Sequence, residues 1–189
     1  MIGRLPTKLK VNDKEMTIRT DFRVALLIFM AYNDPDLLEY EKSIVMLDCL
    51  YEDYSSMNQA DIADAIKQAI WFLDGGTIEE SKGYGQAKKV MDWEQDEQII
   101  FSAVNKVAGF ETRTADYIHW WTFLGYFNEI GEGLFTTVIS IRHKLNKNKK
   151  LDKTEKEFYK DNRLLIDLKK KYTTEQQLEM ERINKILNS

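Results

Sequence analysis

The stretch Asp116-Tyr-Ile-His-Trp-Trp-Thr-Phe-Leu-Gly-Tyr-Phe127 contains six aromatic residues within eleven positions, in a chain that is 12% aromatic overall. We predict a helix here, because Tyr117 and Trp121 fall on one strip at helical spacing. Trp120 and Phe123 fall on an adjoining strip. Such a helix is apolar around more than half of its circumference, which favours a central position among other helices. The alternative is a platform on which a ligand or a nucleobase stacks.

Composition predicts one medium-sized, soluble globular domain. The chain has 189 residues, of which 43% are hydrophobic and 31% are charged, and it contains two prolines. This length is sufficient for a hydrophobic core, and the scarcity of proline permits long helices. The single cysteine, Cys49, lies in an apolar stretch and is expected to be a small buried residue. The apolar runs are too short to span a bilayer, so we expect no membrane association and a cytoplasmic location.

The predicted fold is mainly α: a helical bundle with a short N-terminal β-hairpin and a charged helical C-terminal extension. The hairpin is indicated by alternating polarity in Lys8–Val11 and Met16–Arg19, on either side of a turn at Asn12-Asp-Lys14. We place the helical body with its hairpin in residues 1–146 and the basic helical extension in residues 147–189.

Apolar residues at intervals of three and four mark the helices of the body. We expect Thr20-Asp21 and Asn58 to cap two of these helices and Gly109 to end another. The stripes predicted to face the core include Leu37, Tyr40, Ile44, Leu47 and Tyr51 in the second helix, and Ile62, Ile66, Ala69, Ile70 and Leu73 in the third.

The extension is predicted to form one long charged helix followed by a last helix. Its apolar stripe is narrower than those of the body, which is typical of a surface that docks on a partner or back on the body. The candidate partner stripe consists of Phe158, Leu165, Leu168, Tyr172, Met180, Ile183 and Leu187.

Charge is distributed unevenly along the chain. Residues 142–189 contain 14 Lys and Arg against 8 Asp and Glu, although the formal net charge of the whole chain is −4. The remainder is therefore strongly acidic and would repel phosphates, which argues against nucleic-acid binding by the whole surface. The basic extension is suited to an acidic partner, including the body of another copy.

The motifs predict no catalytic, cofactor-binding or metal site. The acidic run Asp92–Glu97 lacks the glycine and the final glutamate of a calcium loop, and we expect it to form the solvated first turn of a helix. His119 is expected to be a hydrogen-bonded histidine in or near the core, with a catalytic base as the alternative. Arg142 is expected to pair with a carboxylate at the edge of the core, or else to mark a binding surface.

Four motifs and the hairpin together resemble one protein family. The motifs are Asp21-Phe-Arg23, Asp92-Trp-Glu-Gln-Asp96, His119-Trp-Trp-Thr-Phe123 and Ile139-Ser-Ile-Arg142. They are similar to the Gp-fifteen family of tailed phages and prophages, which is encoded in the tail-gene region close to the tape-measure gene. We expect the matching positions to shape the fold first and any partner surface second; they are Asp96, His119, Trp120, Trp121, Phe123 and Arg142.

The resemblance implies a non-enzymatic tail assembly chaperone in the host cytoplasm. Such a protein binds the long helical tape-measure protein, helps to recruit tail tube subunits and forms homo-oligomers. One alternative is a permanent structural subunit of the tail or its connector. Another is a small helical enzyme or nucleic-acid binder that uses His119 or the lysine-rich tail.

Overall fold

The computed structural model describes residues 2–77 and 88–187, except for the side chain of Leu187. Within these residues the fold is mainly α with one two-stranded antiparallel sheet, as predicted, although the second strand is Lys14–Thr17 and not Met16–Arg19. The elements are β1 Lys8–Val11, β2 Lys14–Thr17, α1 Phe22–Tyr32, α2 Glu39–Leu50, α3 Gln59–Leu73, α4 Glu97–Ala108, α5 Trp120–Asn128, α6 Leu134–Asn146, α7 Lys153–Asp161, α8 Arg163–Ile166 and α9 Thr174–Leu187.

The N-terminal hairpin packs on α3. Leu9 and Val11 of β1 are buried, and Asn12 adopts a positive φ of 50° in the two-residue turn. The backbone N–H of Asn12 donates to Oδ2 of Asp64 at 2.6 Å. A lone hairpin is marginally stable in water, so this attachment to α3 explains how the hairpin persists.

The first helix and the aromatic helix begin at one shared joint. Asp21 caps α1 by accepting from the backbone N–H of Arg23, as predicted. Its own backbone forms an antiparallel bridge with His119. Because the chain is extended at this bridge, α5 begins at Trp120 and not at the predicted Tyr117, whose side chain is 55% exposed.

Aromatic side chains fill the centre of the body, as the sequence predicts. Trp120 and Phe123 of α5 are buried. The ring of Phe123 stacks on Phe22 of α1, with 4.5 Å between centroids and 3° between planes. The aromatic helix therefore contributes to the main core, where offset stacking adds to the hydrophobic burial.

The predicted core stripes of α2 and α3 are partly wrong. Tyr40 and Ile44 are 61% and 45% exposed, whereas the buried residues of α2 are Met46, Leu47 and Leu50. Apolar residues occur on more than one side of α2, so either side could have faced the core. Packing against α1 buries the side that contains Met46 and Leu50. In α3, Ile70 is 46% exposed, while the buried positions include Ala65, Ala69 and Phe72.

The long helix predicted for the extension is interrupted. α7 ends before Asn162, α8 is one turn long, and residues 167–173 are not helical. Burial explains the break, because Ile166 lies in a second apolar cluster with Val138 and Ile141 of α6 and with Leu151. The chain bends between α7 and α8, and this bend allows Leu151 and Ile166 to pack on α6 of the body.

Candidate functional site

Two tryptophans of α5 cap the end of α3. The indole Nε1–H of Trp120 donates to the carbonyl of Leu73 at 2.9 Å, and that of Trp121 donates to the carbonyl of Phe72 at 2.8 Å. The carbonyl of Leu73 has no backbone donor among the described residues, so the bond from Trp120 satisfies a group that would otherwise require water. The carbonyl of Phe72 also accepts from the backbone N–H of Gly75. The tryptophan pair therefore joins α3 and α5.

His119 is a buried structural residue at the N-cap of α5. Its Nδ1 accepts from the backbone N–H of Trp121 at 3.0 Å, and the Nε2 atom lies 3.0 Å from the carbonyl oxygen of Pro6. An accepting Nδ1 places the ring proton on Nε2, which donates to Pro6. His119 is 4% exposed and both ring nitrogens are engaged, in agreement with the prediction of a hydrogen-bonded core histidine.

Arg142 is the centre of a second joint, and all five of its N–H donors are used. Nη1 and Nη2 bind Oδ2 and Oδ1 of Asp96 at 2.6 and 2.8 Å. Nη1 also donates to the carbonyl of Val90, Nη2 to that of Leu165 and Nε to that of Ile166. The sequence predicted a carboxylate partner for Arg142, and the pair ties α4 and α6 to the end of α8.

The acidic run before α4 is not the solvated first turn that the sequence predicted. Asp92 and Asp96 are 6% and 1% exposed. Oδ1 of Asp92 accepts from the backbone N–H groups of Glu94 and Gln95, and the backbone N–H of Asp92 donates to Asp96. These carboxylates are buried because they fold the loop that leads into α4.

Ionic contacts hold the carboxylate of Asp92 in its charged form. Burial alone would raise the pKa of Asp92. The hydrogen bond from Lys89, the backbone donor of Gln95 and the charge of Lys171 outweigh it and lower the pKa below the ordinary value. The pKa of Lys171 is raised, mainly by its hydrogen bond to Glu94.

The chain after α8 is attached to the body in cis. Gln95 accepts from the backbone N–H of Lys169 and donates to the carbonyl of Asp167. Asp36 accepts from both the backbone N–H and the hydroxyl of Thr174, at 2.8 and 2.6 Å. These hydrogen bonds hold the chain after α8 on the body, and Lys171 adds an ion pair with Glu94.

The six family-like positions lie at these joints and in the core between them. Five of them are buried, and Trp121 is half-buried. Among the described residues, every buried side-chain nitrogen and oxygen has a hydrogen-bond partner, and no cluster of His, Cys, Asp and Glu has the geometry of a metal site. These positions therefore present no spare polar group to a ligand.

The predicted partner stripe is divided between two environments. Phe158, Leu165, Leu168 and Tyr172 are half-buried on the chain's own body. Met180 and Ile183 of α9 are 45% and 49% exposed, and all described side chains from residue 174 to 186 are exposed. The side chain of Leu187 lies outside the described part of the chain.

An apolar groove, which the sequence did not predict, lies between α4 and the connection from α5 to α6. It has a volume of about 440 Å³. Half-buried or buried Ile99, Ala103, Ile130 and Phe135 line it, and Val107 and Leu134 are exposed at 36% and 49%. Lys106, Glu129 and Glu132 also line it and supply charges of both signs. The sequence Ile130-Gly-Glu-Gly133 could have indicated this groove. Its glycines are typical of a turn, and a Cβ atom at Gly131 or Gly133 would meet no other atom within 4 Å, so the space beside them is open.

The family model described as Bacteriophage Gp15 protein matches residues 1–173. The chain belongs to this family. The resemblance of its motifs to the Gp-fifteen family is thereby confirmed, and the protein is a phage-type protein. No curated protein and no solved structure matches it. The groove lies inside residues 1–173, the part of the chain that matches the family model. Helix α9 begins at Thr174, directly after that part. Among the described residues, no helix of this Gp15-family chain is long and apolar enough to cross a membrane.

Proposed function

We propose that this Gp15-family protein is a non-enzymatic tail assembly chaperone. It binds the tape-measure protein in the host cytoplasm, before the tail tube encloses that protein, and supports recruitment of tail tube subunits. Membership of a phage family supports this role, and the groove between α4 and α6 is the observation that carries it, because it is an uncovered apolar site within the family region.

The groove has the chemistry of a site for one face of an amphipathic helix. Its floor is apolar, and exposed Val107 and Leu134 extend that apolar surface outward. Lys106 lies on the α4 side, and Glu129 and Glu132 lie on the connection to α6. A helix whose apolar stripe is flanked by charged residues can fill the floor and pair with these side chains.

A tape-measure protein is a long amphipathic helix, so it offers many such segments along one filament. Several copies of a chaperone with a small groove can then bind in series, and each contact can be weak. Weak individual contacts suit a chaperone, because tail tube subunits must displace it as the tube grows. This account requires no catalytic residue.

The test is co-expression with the tape-measure protein encoded in the same phage genome. We expect the wild-type chain to keep the tape-measure protein soluble and to co-purify with it. The double variant Val107→Glu/Leu134→Glu introduces two charges at the groove and should lose both effects. The matched control is Leu27→Glu/Ile70→Glu, which changes two residues that are 56% and 46% exposed and do not line the groove.

The outcomes separate the candidate roles. If the groove variant folds and still co-purifies with the tape-measure protein, the groove is not the binding site. If the wild-type chain neither binds nor solubilises the tape-measure protein, the chaperone proposal is overturned. In that case stoichiometric amounts of the chain in purified virions, measured by mass spectrometry, would identify a structural subunit of the tail.

A further inference from the structure

Three lysines form a row along α7, whose exposed residues also include Glu157 and Asp161. Lys153, Lys156 and Lys160 follow each other at intervals of three and four, so they lie along one face of the helix. All three side chains are exposed, and none forms a salt bridge within the described residues. We call these three residues the lysine row. Leu164, in the next helix, is 91% exposed.

An acidic face with exposed apolar residues lies on α2. Tyr40, Ile44 and Asp48 are spaced by four positions, so they share one side of the helix, and Glu52 follows just beyond its end. All four residues are exposed. We call them the acidic face. Residues 34–64 contain nine Asp and Glu and one Lys, so this face lies in the most acidic part of the body.

We propose that the lysine row of one copy binds the acidic face of a second copy. The three lysines are positive and Asp48 and Glu52 are negative, and the acidic face also has the exposed apolar side chains of Tyr40 and Ile44. Opposite charges guide such surfaces together, and the apolar side chains supply area that is removed from water on contact. The inference concerns self-association alone and does not depend on the groove or on the tape-measure protein.

A second copy fits the lysine row better than a nucleic acid does. A duplex would have to bind three lysines on a chain whose net charge is −4 and whose body repels phosphates. A second copy brings that same acidic body as the binding surface. If the contact is head-to-tail, a bound pair of copies leaves one free lysine row and one free acidic face, which permits a ring or an open filament.

Complementary charge reversal tests the contact. The variant Lys153→Glu/Lys156→Glu/Lys160→Glu has two acidic faces, and the variant Asp48→Lys/Glu52→Lys has two basic ones. We expect each variant alone to self-associate at least about tenfold more weakly than the wild-type chain. An equimolar mixture should restore assembly, because each variant then offers the face that the other requires. Sedimentation velocity across protein concentration and salt concentration measures both effects.

The matched control reverses three exposed lysines elsewhere, Lys10→Glu/Lys67→Glu/Lys185→Glu, which makes the same change in net charge. It should assemble like the wild-type chain. Recovery in the mixture excludes misfolding of either variant as the cause of its loss. A wild-type chain that is monomeric at every concentration in low salt overturns the proposal, whether or not it binds duplex DNA. Assembly that is unchanged in both charge variants overturns it as well.

Discussion

Asp96 and Arg142, 46 positions apart in the sequence, form a bidentate ion pair with bonds of 2.6 and 2.8 Å. Their side chains are 0% and 4% exposed, so neither charge is solvated. Arg142 also binds the carbonyls of Leu165 and Ile166 at the end of α8. One arginine thus holds together the start of α4, the middle of α6 and the end of α8.

Removal of one partner from this pair should be strongly destabilising. We expect Asp96→Ala to lower the free energy of unfolding by about 3–5 kcal/mol, because the guanidinium of Arg142 remains buried without its counter-charge. Urea denaturation followed by circular dichroism measures the loss. The control is Glu111→Gln in the exposed pair with Arg113, which should change stability little. Equal effects of the two substitutions would show that the buried pair has no special role.

The two tryptophans of α5 should differ in their contributions. Trp120 is 1% exposed, so we expect Trp120→Ala to cost about 3–5 kcal/mol of unfolding free energy. Trp121 is half-buried, and Trp121→Ala should cost less. Thermal and urea denaturation of both variants measure the order. A larger effect at Trp121 would contradict the deeper burial of Trp120.

The indole hydrogen bond of Trp120 can be tested separately from its ring. Trp120→Phe leaves the carbonyl of Leu73 without its donor and should cost about 1–3 kcal/mol, together with the loss of ring area. Trp71→Phe is the matched control, since that indole N–H makes no hydrogen bond within the described residues. Amide hydrogen exchange at the end of α3 should rise in the Trp120 variant and not in the control.

Gly76 should tolerate a side chain less well than Gly109. Both residues have a positive φ, 82° and 78°, so an alanine at either position is strained by about 1–2 kcal/mol. At Gly76 a Cβ atom would also lie 2.8 Å from the Trp121 ring, whereas at Gly109 it would meet nothing within 4 Å. We therefore expect Gly76→Ala to lower the melting temperature more than Gly109→Ala. Similar shifts would show that the ring moves aside without cost.

Acid should release the chain that leads into α9. The hydroxyl and the backbone N–H of Thr174 lower the pKa of Asp36 below its ordinary value of 3.8, and the contacts described above lower that of Asp92. Groups with a lowered pKa stabilise the attached state above their ordinary value. That contribution is lost as the pH falls through the lower value of the attached state. An NMR titration of the Thr174 amide between pH 6 and pH 2 should show the release.

Asp36→Asn is the control for this titration. It retains a hydrogen-bond acceptor but cannot titrate, so the part of the pH dependence that comes from Asp36 should disappear. If the Thr174 amide signal of the wild-type chain does not change below pH 4, the carboxylate of Asp36 does not hold this segment.

Local features of the fold could be predicted from the sequence because a few neighbouring residues determine them. Asn12 suits the positive φ of the hairpin turn, Asp21 accepts from the N–H of Arg23, and Gly109 ends α4 in a left-handed conformation. The aromatic repeat in α5 was sufficient to predict a helix in the core. The residue types also indicated a carboxylate partner for Arg142 and a hydrogen-bonded position in or near the core for His119, and the structure has both.

Tertiary contacts decided the features that the sequence pattern left ambiguous. Periodicity predicted that Tyr40 and Ile44 of α2 face the core, but packing against α1 buries Met46 and Leu50 instead. The acidic residues before α4 have the sequence of a solvated first turn. They are buried in the structure because Arg142, which is distant in sequence, pairs with Asp96. The extension has the sequence pattern of one long helix. The helix is interrupted because Ile166 packs in the apolar cluster with Val138 and Ile141 of α6.

The sequence by itself thus determined the mainly α fold, the hairpin, the helix caps and the family, since these depend on local spacing and residue type. Only the tertiary structure decided which apolar surfaces remain uncovered. The burial of a side chain depends on partners that are distant in sequence. The groove remains open because no side chain of α4, of the start of α6 or of the connection from α5 to α6 fills the space between them.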